Sequence, residues 1–144
     1  MNIRTKIRIH KHLILGALIV FWIAALTATH IPQQKLPKLP TSDTGLHLLG
    51  FFVLGSLFWL SLLAYGIRAM HRIPLVIFTL MIYAALDETT QALVNRTPAL
   101  GDWAADSAGM FLAVVVWEIL RLVVFGSESK PEPAPKNPYE QHPV

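Results

Sequence analysis

Four long apolar stretches constrain this chain more than any other feature of its sequence. They cover about residues 13–29, 46–65, 74–94 and 103–125 and contain few charged side chains. A helix needs about 20 residues to cross the hydrocarbon layer of a bilayer, because each residue rises about 1.5 Å. Only 15% of the 144 residues are charged, whereas a soluble domain carries about 25%. The pattern predicts an all-α polytopic membrane protein in which four transmembrane helices form one bundle.

The basic residues outside these stretches predict the side of the membrane that each loop faces. Cytoplasmic loops carry an excess of Lys and Arg. If the N-terminus is cytoplasmic, nine of the 12 basic residues lie on the cytoplasmic side, and both termini are therefore expected there. The cytoplasmic residues in this prediction are Arg4, Lys6, Arg8, Lys11, Arg68, Arg72, Arg121, Lys130 and Lys136. The outer residues are Lys35, Lys38 and Arg96.

The regions flanking the apolar stretches complete the predicted organisation. Residues 1–12 form a basic cytoplasmic N-terminus, residues 13–126 the membrane domain, and residues 127–144 a Pro-rich cytoplasmic tail expected to be disordered. The first stretch also resembles the core of a secretory signal peptide. Trp22 and the lack of a clean A-x-A site favour a retained helix, while cleavage remains an alternative. No nucleic-acid partner is expected, because the basic residues flank apolar runs.

Polar residues gather at the predicted outer ends of three stretches. The third stretch is expected to begin at Pro74, which places Asp87 roughly 20 Å along the helix, in the outer half of the bilayer. Ionisable residues inside a membrane insert at a cost of roughly 2.5–3.5 kcal/mol each and usually mark function. The candidate ligand-binding residues are Asp43, His47, Asp87, Glu88, Gln91, Arg96, Asp102 and Asp106.

Three short motifs within about residues 40–115 carry a resemblance to a known family. They are Asp43-x-x-x-His47-x-x-Gly50, Asp87-Glu88-x-x-Gln91 followed by Arg96, and Asp102-x-x-x-Asp106-x-x-Gly109. Their order and spacing resemble the VanZ-like family of bacterial integral membrane proteins. Two positions depart from the family pattern, which commonly has a lysine where this chain has Thr44 and an asparagine where it has Asp106.

The resemblance implies a four-helix cell-envelope protein in the bacterial cytoplasmic (inner) membrane. The family is named for a protein associated with teicoplanin resistance and has no settled biochemical activity. The leading hypothesis is a non-enzymatic protein whose outer-leaflet polar pocket binds or translocates an amphipathic ligand. Membrane lipids are the expected partners, and a lipid-linked cell-wall precursor or a lipoglycopeptide is the candidate ligand. No cofactor is predicted, and the oligomeric state stays open.

Two further functions remain open at this stage. A metal-assisted hydrolase or transferase acting on envelope lipids would need His47 and at least two carboxylates as ligands. The sequence contains no closely spaced ligand motif such as H-E-x-x-H, so no metal ligands are assigned. A structural or assembly subunit would use the same polar residues only to hold its helices together.

Individual residues carry competing interpretations as well. Arg96 is expected either to clamp a phosphate or carboxylate or to pair with Glu88. Asp102 is expected to cap the fourth helix, since it precedes an apolar run. Glu118 and Arg121, three residues apart, are expected to form a local ion pair.

Overall fold

The computed structural model describes residues 7, 9–32 and 42–126. Seven of the 12 residues of the predicted N-terminal segment lie outside the described residues, as do residues 33–41 and the whole predicted C-terminal tail, residues 127–144. The described chain forms four helices: α1 (Lys11–Thr29), α2 (Asp43–Ala64), α3 (Ala69–Gln91) and α4 (Leu100–Phe125). A 3-10 turn, Ala92–Val94, follows α3. All four helices are long and apolar enough to cross a membrane, which confirms the all-α, four-span prediction.

The closest helix pair is α2 with α4, because glycines bring the two backbones together. A Cβ atom added to Gly109 would collide with the carbonyl oxygen of Leu48 and lie 3.0 Å from the backbone nitrogen of Phe52. A Cβ atom added to Gly55 would lie 3.1 Å from the Cβ atom of Ala113. The two helices therefore approach more closely at Gly109 than any side chain would allow. The buried core beside them includes Leu54, Trp59, Val76, Leu80 and Met110.

Local signals in the sequence explain both ends of α2. Ser42 occupies the N-cap position, and its hydroxyl accepts a hydrogen bond from the backbone N–H of Gly45 at 3.1 Å. At the other end, Gly66 adopts a φ of 80°, and the N–H of Ile67 donates to the carbonyl of Leu62 at 2.9 Å. This Schellman arrangement ends α2 and starts the short turn that reverses the chain into α3.

Helix α3 begins at Ala69, so the prediction that it begins at Pro74 is wrong. The extra turn is held by Arg72, whose Nη1 donates to the carbonyl of Ile67 at 2.7 Å and whose Nη2 donates to Glu118 at 2.9 Å. Pro74 therefore lies within the helix. Transmembrane helices tolerate an internal proline when neighbouring groups satisfy the backbone it frees.

Helix α1 lies at the periphery of the bundle. Within Lys11–Thr29, Leu18 is the one buried residue. Large apolar side chains on its remaining faces are exposed, among them Leu13, Val20 and Ile23. Exposed apolar surface of this kind suits contact with lipid chains rather than with water.

Candidate functional site

The eight polar residues singled out in the sequence all lie at one end of the bundle, where α2 and α4 begin and α3 ends. We call them the polar cluster: Asp43, His47, Asp87, Glu88, Gln91, Arg96, Asp102 and Asp106. All but Asp43 are buried, and Asp87, Gln91 and Asp106 are at most 1% exposed. The fold thus assembles residues that the sequence spreads over 64 positions, from residue 43 to residue 106.

The last turn of α3 supplies two carboxylates joined by one amide. Gln91 Nε2 donates to Asp87 Oδ2 and to Glu88 Oε1, both at 3.2 Å. Glu88 Oε2 in turn accepts the backbone N–H of Ala99 at 2.9 Å. Ala99 is the N-cap residue of α4, so a carboxylate lies at the positive end of that helix dipole.

This contact corrects the expected role of Asp102. Helix α4 begins at Leu100, and Asp102 lies in its first turn instead of at the cap position. The Asp102 carboxylate accepts a hydrogen bond from Thr44 Oγ1 at 2.7 Å. Glu88 satisfies the N–H of the cap residue, which leaves Asp102 free to join α4 to α2. Thr44 therefore supplies a neutral donor to the Asp102 carboxylate.

His47 on α2 contacts acids from two other helices. Its Nδ1 lies 3.0 Å from Asp106 Oδ1, within hydrogen-bond distance, and 4.0 Å from Glu88 Oε1. The close approach of α2 and α4 at Gly109, one turn after Asp106, brings the His47 ring against the Asp106 carboxylate. The spacing Asp106-x-x-Gly109 therefore has a steric reason in this fold.

Arg96 turns back over the end of the bundle. Asn95 adopts the left-handed conformation with a φ of 59°, which Asn tolerates better than most residues, and the N–H of Arg96 donates to the carbonyl of Gln91 at 3.2 Å. The guanidinium donates to Asp43 Oδ2 at 2.6 Å and to the carbonyl of Thr29 at 3.1 Å. The predicted pairing of Arg96 with Glu88 is wrong, because this turn directs the side chain to α1 and α2.

Three residues of this region were missed in the sequence analysis. Thr29 Oγ1 donates to Asp87 Oδ1 at 2.8 Å, and His30 Nδ1 lies 3.8 Å from the same oxygen. His30 Nε2 lies 3.0 Å from Thr90 Oγ1. The available signal was the polar pair Thr29-His30 at the end of the first apolar stretch, which lies at the same level as the other polar residues.

A cavity of about 440 Å³ opens between α1 and the bundle directly beside the polar cluster. Its polar lining residues include Asp43, His47 and Arg96, and the partly exposed Asp43 marks the side where the cavity meets the surface, which we call its rim. Its walls are almost wholly apolar: Phe21, Ala24, Ala25, Ala28, Leu46, Gly50, Phe51 and Leu54. The alanines of α1 leave this space open, because larger side chains at their positions would fill it. The shape and chemistry are those of a site for a molecule with one polar and one apolar part.

The opposite end of the bundle holds a second charged group, which we call the basic clamp: Arg72, Glu118 and Arg121. Glu118 Oε2 accepts from Arg121 Nε at 2.6 Å, which confirms the predicted local pair. Glu118 Oε1 accepts from Arg72 Nη2 at 2.9 Å and from Trp59 Nε1 at 3.1 Å. No pattern in the sequence pairs Arg72 with Glu118, because the two residues lie 46 positions apart.

No protein-family model, curated protein or solved structure matches this chain.

Proposed function

We propose that this chain is a VanZ-like cell-envelope membrane protein whose polar cluster and adjoining cavity bind or translocate an amphipathic envelope ligand. In this proposal the protein resides in the bacterial cytoplasmic membrane with both termini in the cytoplasm, so the polar cluster faces the outer leaflet. The candidate ligands are a lipid-linked cell-wall precursor and a lipoglycopeptide of the teicoplanin type, and ligand capture is the basis of a resistance role.

The observation that carries the proposal is the amphipathic cavity. Its volume of about 440 Å³ lies within the range of about 300–1,000 Å³ that small-molecule sites occupy. The apolar walls suit an acyl or prenyl chain, which would enter between α1 and α2 from the lipid. Since α1 buries a single residue, Leu18, it is the helix that can move most easily to admit such a chain.

Arg96 supplies the chemistry for the ligand headgroup. It is the one arginine of the polar cluster, it lines the cavity, and its partner Asp43 lines the rim beside it. The Asp43 side chain is 39% exposed, so an anionic headgroup arriving at the rim competes with Asp43 for the guanidinium. Arg is well suited to this exchange, because its planar fork binds phosphate and carboxylate groups through two parallel hydrogen bonds.

A pair of matched substitutions on α1 tests the cavity. Ala25→Phe places a ring in the cavity, whereas Ala17→Phe places the same ring on the exposed, lipid-facing surface of α1. In a susceptible bacterial strain expressing the chain, we expect Ala25→Phe to abolish protection against teicoplanin and Ala17→Phe to retain it. Binding of a lipid-linked cell-wall precursor to the purified variants is measured in parallel, with membrane abundance as the control.

A second pair tests the headgroup contact. Arg96→Ala is expected to lose protection and ligand binding at normal abundance, whereas Arg68→Ala, an exposed arginine before α3, keeps both. If neither Ala25→Phe nor Arg96→Ala changes protection or binding, the cavity is not the ligand site. If both variants instead fall in abundance, the polar cluster serves to hold the helices together.

A further inference from the structure

His47, Glu88 and Asp106 come from three different helices and meet inside the bundle. One donor atom from each lies within 4.8 Å of the other two. The His47 Nδ1 atom is 3.0 Å from Asp106 Oδ1 and 4.0 Å from Glu88 Oε1. Metal bonds of about 2.0–2.2 Å to nitrogen and oxygen allow two ligand atoms to be at most about 4.4 Å apart. Both distances from the imidazole fall within that limit.

The Asp106 carboxylate carries an independent indication of a missing partner. Its Oδ1 atom contacts His47, but its Oδ2 atom is buried without a hydrogen-bond partner among the described residues. Asp106 is 0% exposed. A buried carboxylate oxygen without a partner is strongly unfavourable, especially in a membrane, and such atoms call for a bound ion, a proton or an ordered water.

The charge balance around the three residues points to a cation. The described part of the polar cluster contains five carboxylates and one arginine, and Arg96 is directed to Asp43 rather than to these three residues. Among the described residues, the hydrogen bonds that Glu88 accepts come from neutral donors, the Gln91 amide and the backbone N–H of Ala99. With the imidazole neutral, Glu88 and Asp106 together carry two negative charges, which one divalent cation would balance.

We propose that His47, Glu88 and Asp106 form a binding site for a divalent transition-metal ion, with Zn²⁺ the ion that best fits one imidazole nitrogen and two carboxylates. Imidazole favours Zn²⁺ over Mg²⁺ and Ca²⁺, which prefer oxygen ligands alone. The contacts from Gln91 and Ala99 hold the Glu88 carboxylate in place, as partners of metal ligands commonly do. His47 also lines the cavity, but zinc binding is measured without a cavity ligand, so its failure would leave the proposed ligand site untouched.

The test uses the full chain in detergent micelles, with any affinity tag removed because tags bind zinc. Zinc content is measured by elemental analysis and affinity by titration calorimetry with ZnCl₂. We expect one zinc ion per chain in the wild type and a loss of affinity of about ten-fold or more in Asp106→Asn and His47→Gln. His71→Gln removes an exposed histidine of α3 at the opposite end of the bundle and is expected to leave zinc binding unchanged.

Three outcomes would overturn the proposal. The first is that the wild type binds no stoichiometric zinc. The second is that both site variants bind zinc as tightly as the wild type, because the ion would then belong to other histidines. If the variants fail to fold, X-ray absorption at the zinc edge of the wild type tests the ligands without any substitution. It is expected to show one imidazole and oxygen ligands, and two or more imidazoles would exclude the site described here.

Discussion

The two ends of the bundle differ in the ratio of carboxylates to arginines. In the basic clamp one carboxylate, Glu118, meets two arginines and a tryptophan N–H, so that both of its oxygens accept hydrogen bonds. In the polar cluster, the described residues set five carboxylates against one arginine. The clamp carboxylate is fully paired, although Arg72 Nε is buried without a hydrogen-bond partner among the described residues, whereas the cluster holds more carboxylates than arginines. The difference supports the proposal that the polar cluster is the functional end and that the clamp holds the helices together.

The two ends also differ in what holds the helices together. At the basic clamp, ion pairs and the stacking of the Arg72 guanidinium 4.5 Å above the Trp59 ring join α2, α3 and α4. At the polar cluster, the close approach of α2 and α4 at Gly109 performs this task together with hydrogen bonds such as that from Thr44 to Asp102. Steric fit therefore keeps the acids together at the end where charge alone would drive them apart.

Breaking the clamp is expected to produce the largest loss of stability. Glu118→Gln leaves the Arg72 guanidinium buried without its carboxylate, and breaking a buried ion pair in this way costs about 3–5 kcal/mol. Thermal unfolding in detergent measures the loss, with Arg68→Ala as the control of an exposed arginine that is expected to unfold like the wild type. An unfolding midpoint for Glu118→Gln equal to that of the wild type would show that the clamp is not structural.

Overpacking the α2–α4 contact is expected to have the next largest effect. Gly109→Ala drives a methyl group against the Leu48 carbonyl and the Phe52 backbone, and we expect a loss of about 2–3 kcal/mol. Gly55→Ala is the matched control, because its methyl group meets the Ala113 side chain at 3.1 Å and its nearest backbone atom, Met110 Cα, lies at an ordinary contact distance of 3.6 Å. The smaller loss is expected for Gly55→Ala in the same unfolding measurement. Equal losses would contradict the steric account of the polar cluster.

The sequence predicted the fold class and the membership of the polar cluster for the same physical reason. A chain with four apolar stretches long enough to span a bilayer has few possible folds. Charged residues within such stretches avoid the lipid by contacting one another inside the bundle. Asp87, Glu88 and Gln91 could be placed together because they share one turn of a helix. His47 and Asp106 could be placed at the same depth from the direction of their helices.

Individual pairings could not be predicted, because they depend on helix rotation and on turns. The left-handed Asn95 directs Arg96 to Asp43 instead of Glu88, and nothing in the sequence fixes that direction. Arg72 reaches Glu118 only because α3 begins one turn before Pro74. The metal ligands proposed here show no spacing motif, since each belongs to a different helix.

The smallest effect on stability is expected for Asp106→Asn in the presence of a metal chelator. An asparagine oxygen can still accept a hydrogen bond from His47, while one negative charge beside Glu88 is removed. We therefore expect the unfolding free energy to stay within about 1 kcal/mol of the wild type, in contrast to Glu118→Gln. Unfolding in chelator measures the effect of the substitution without metal, and unfolding with zinc in excess over the chelator measures the stabilisation by zinc. We expect the variant to lose that stabilisation. A loss as large as that of Glu118→Gln would show that the Asp106 charge is already neutralised within the protein, as at the clamp, and the two ends would then be alike.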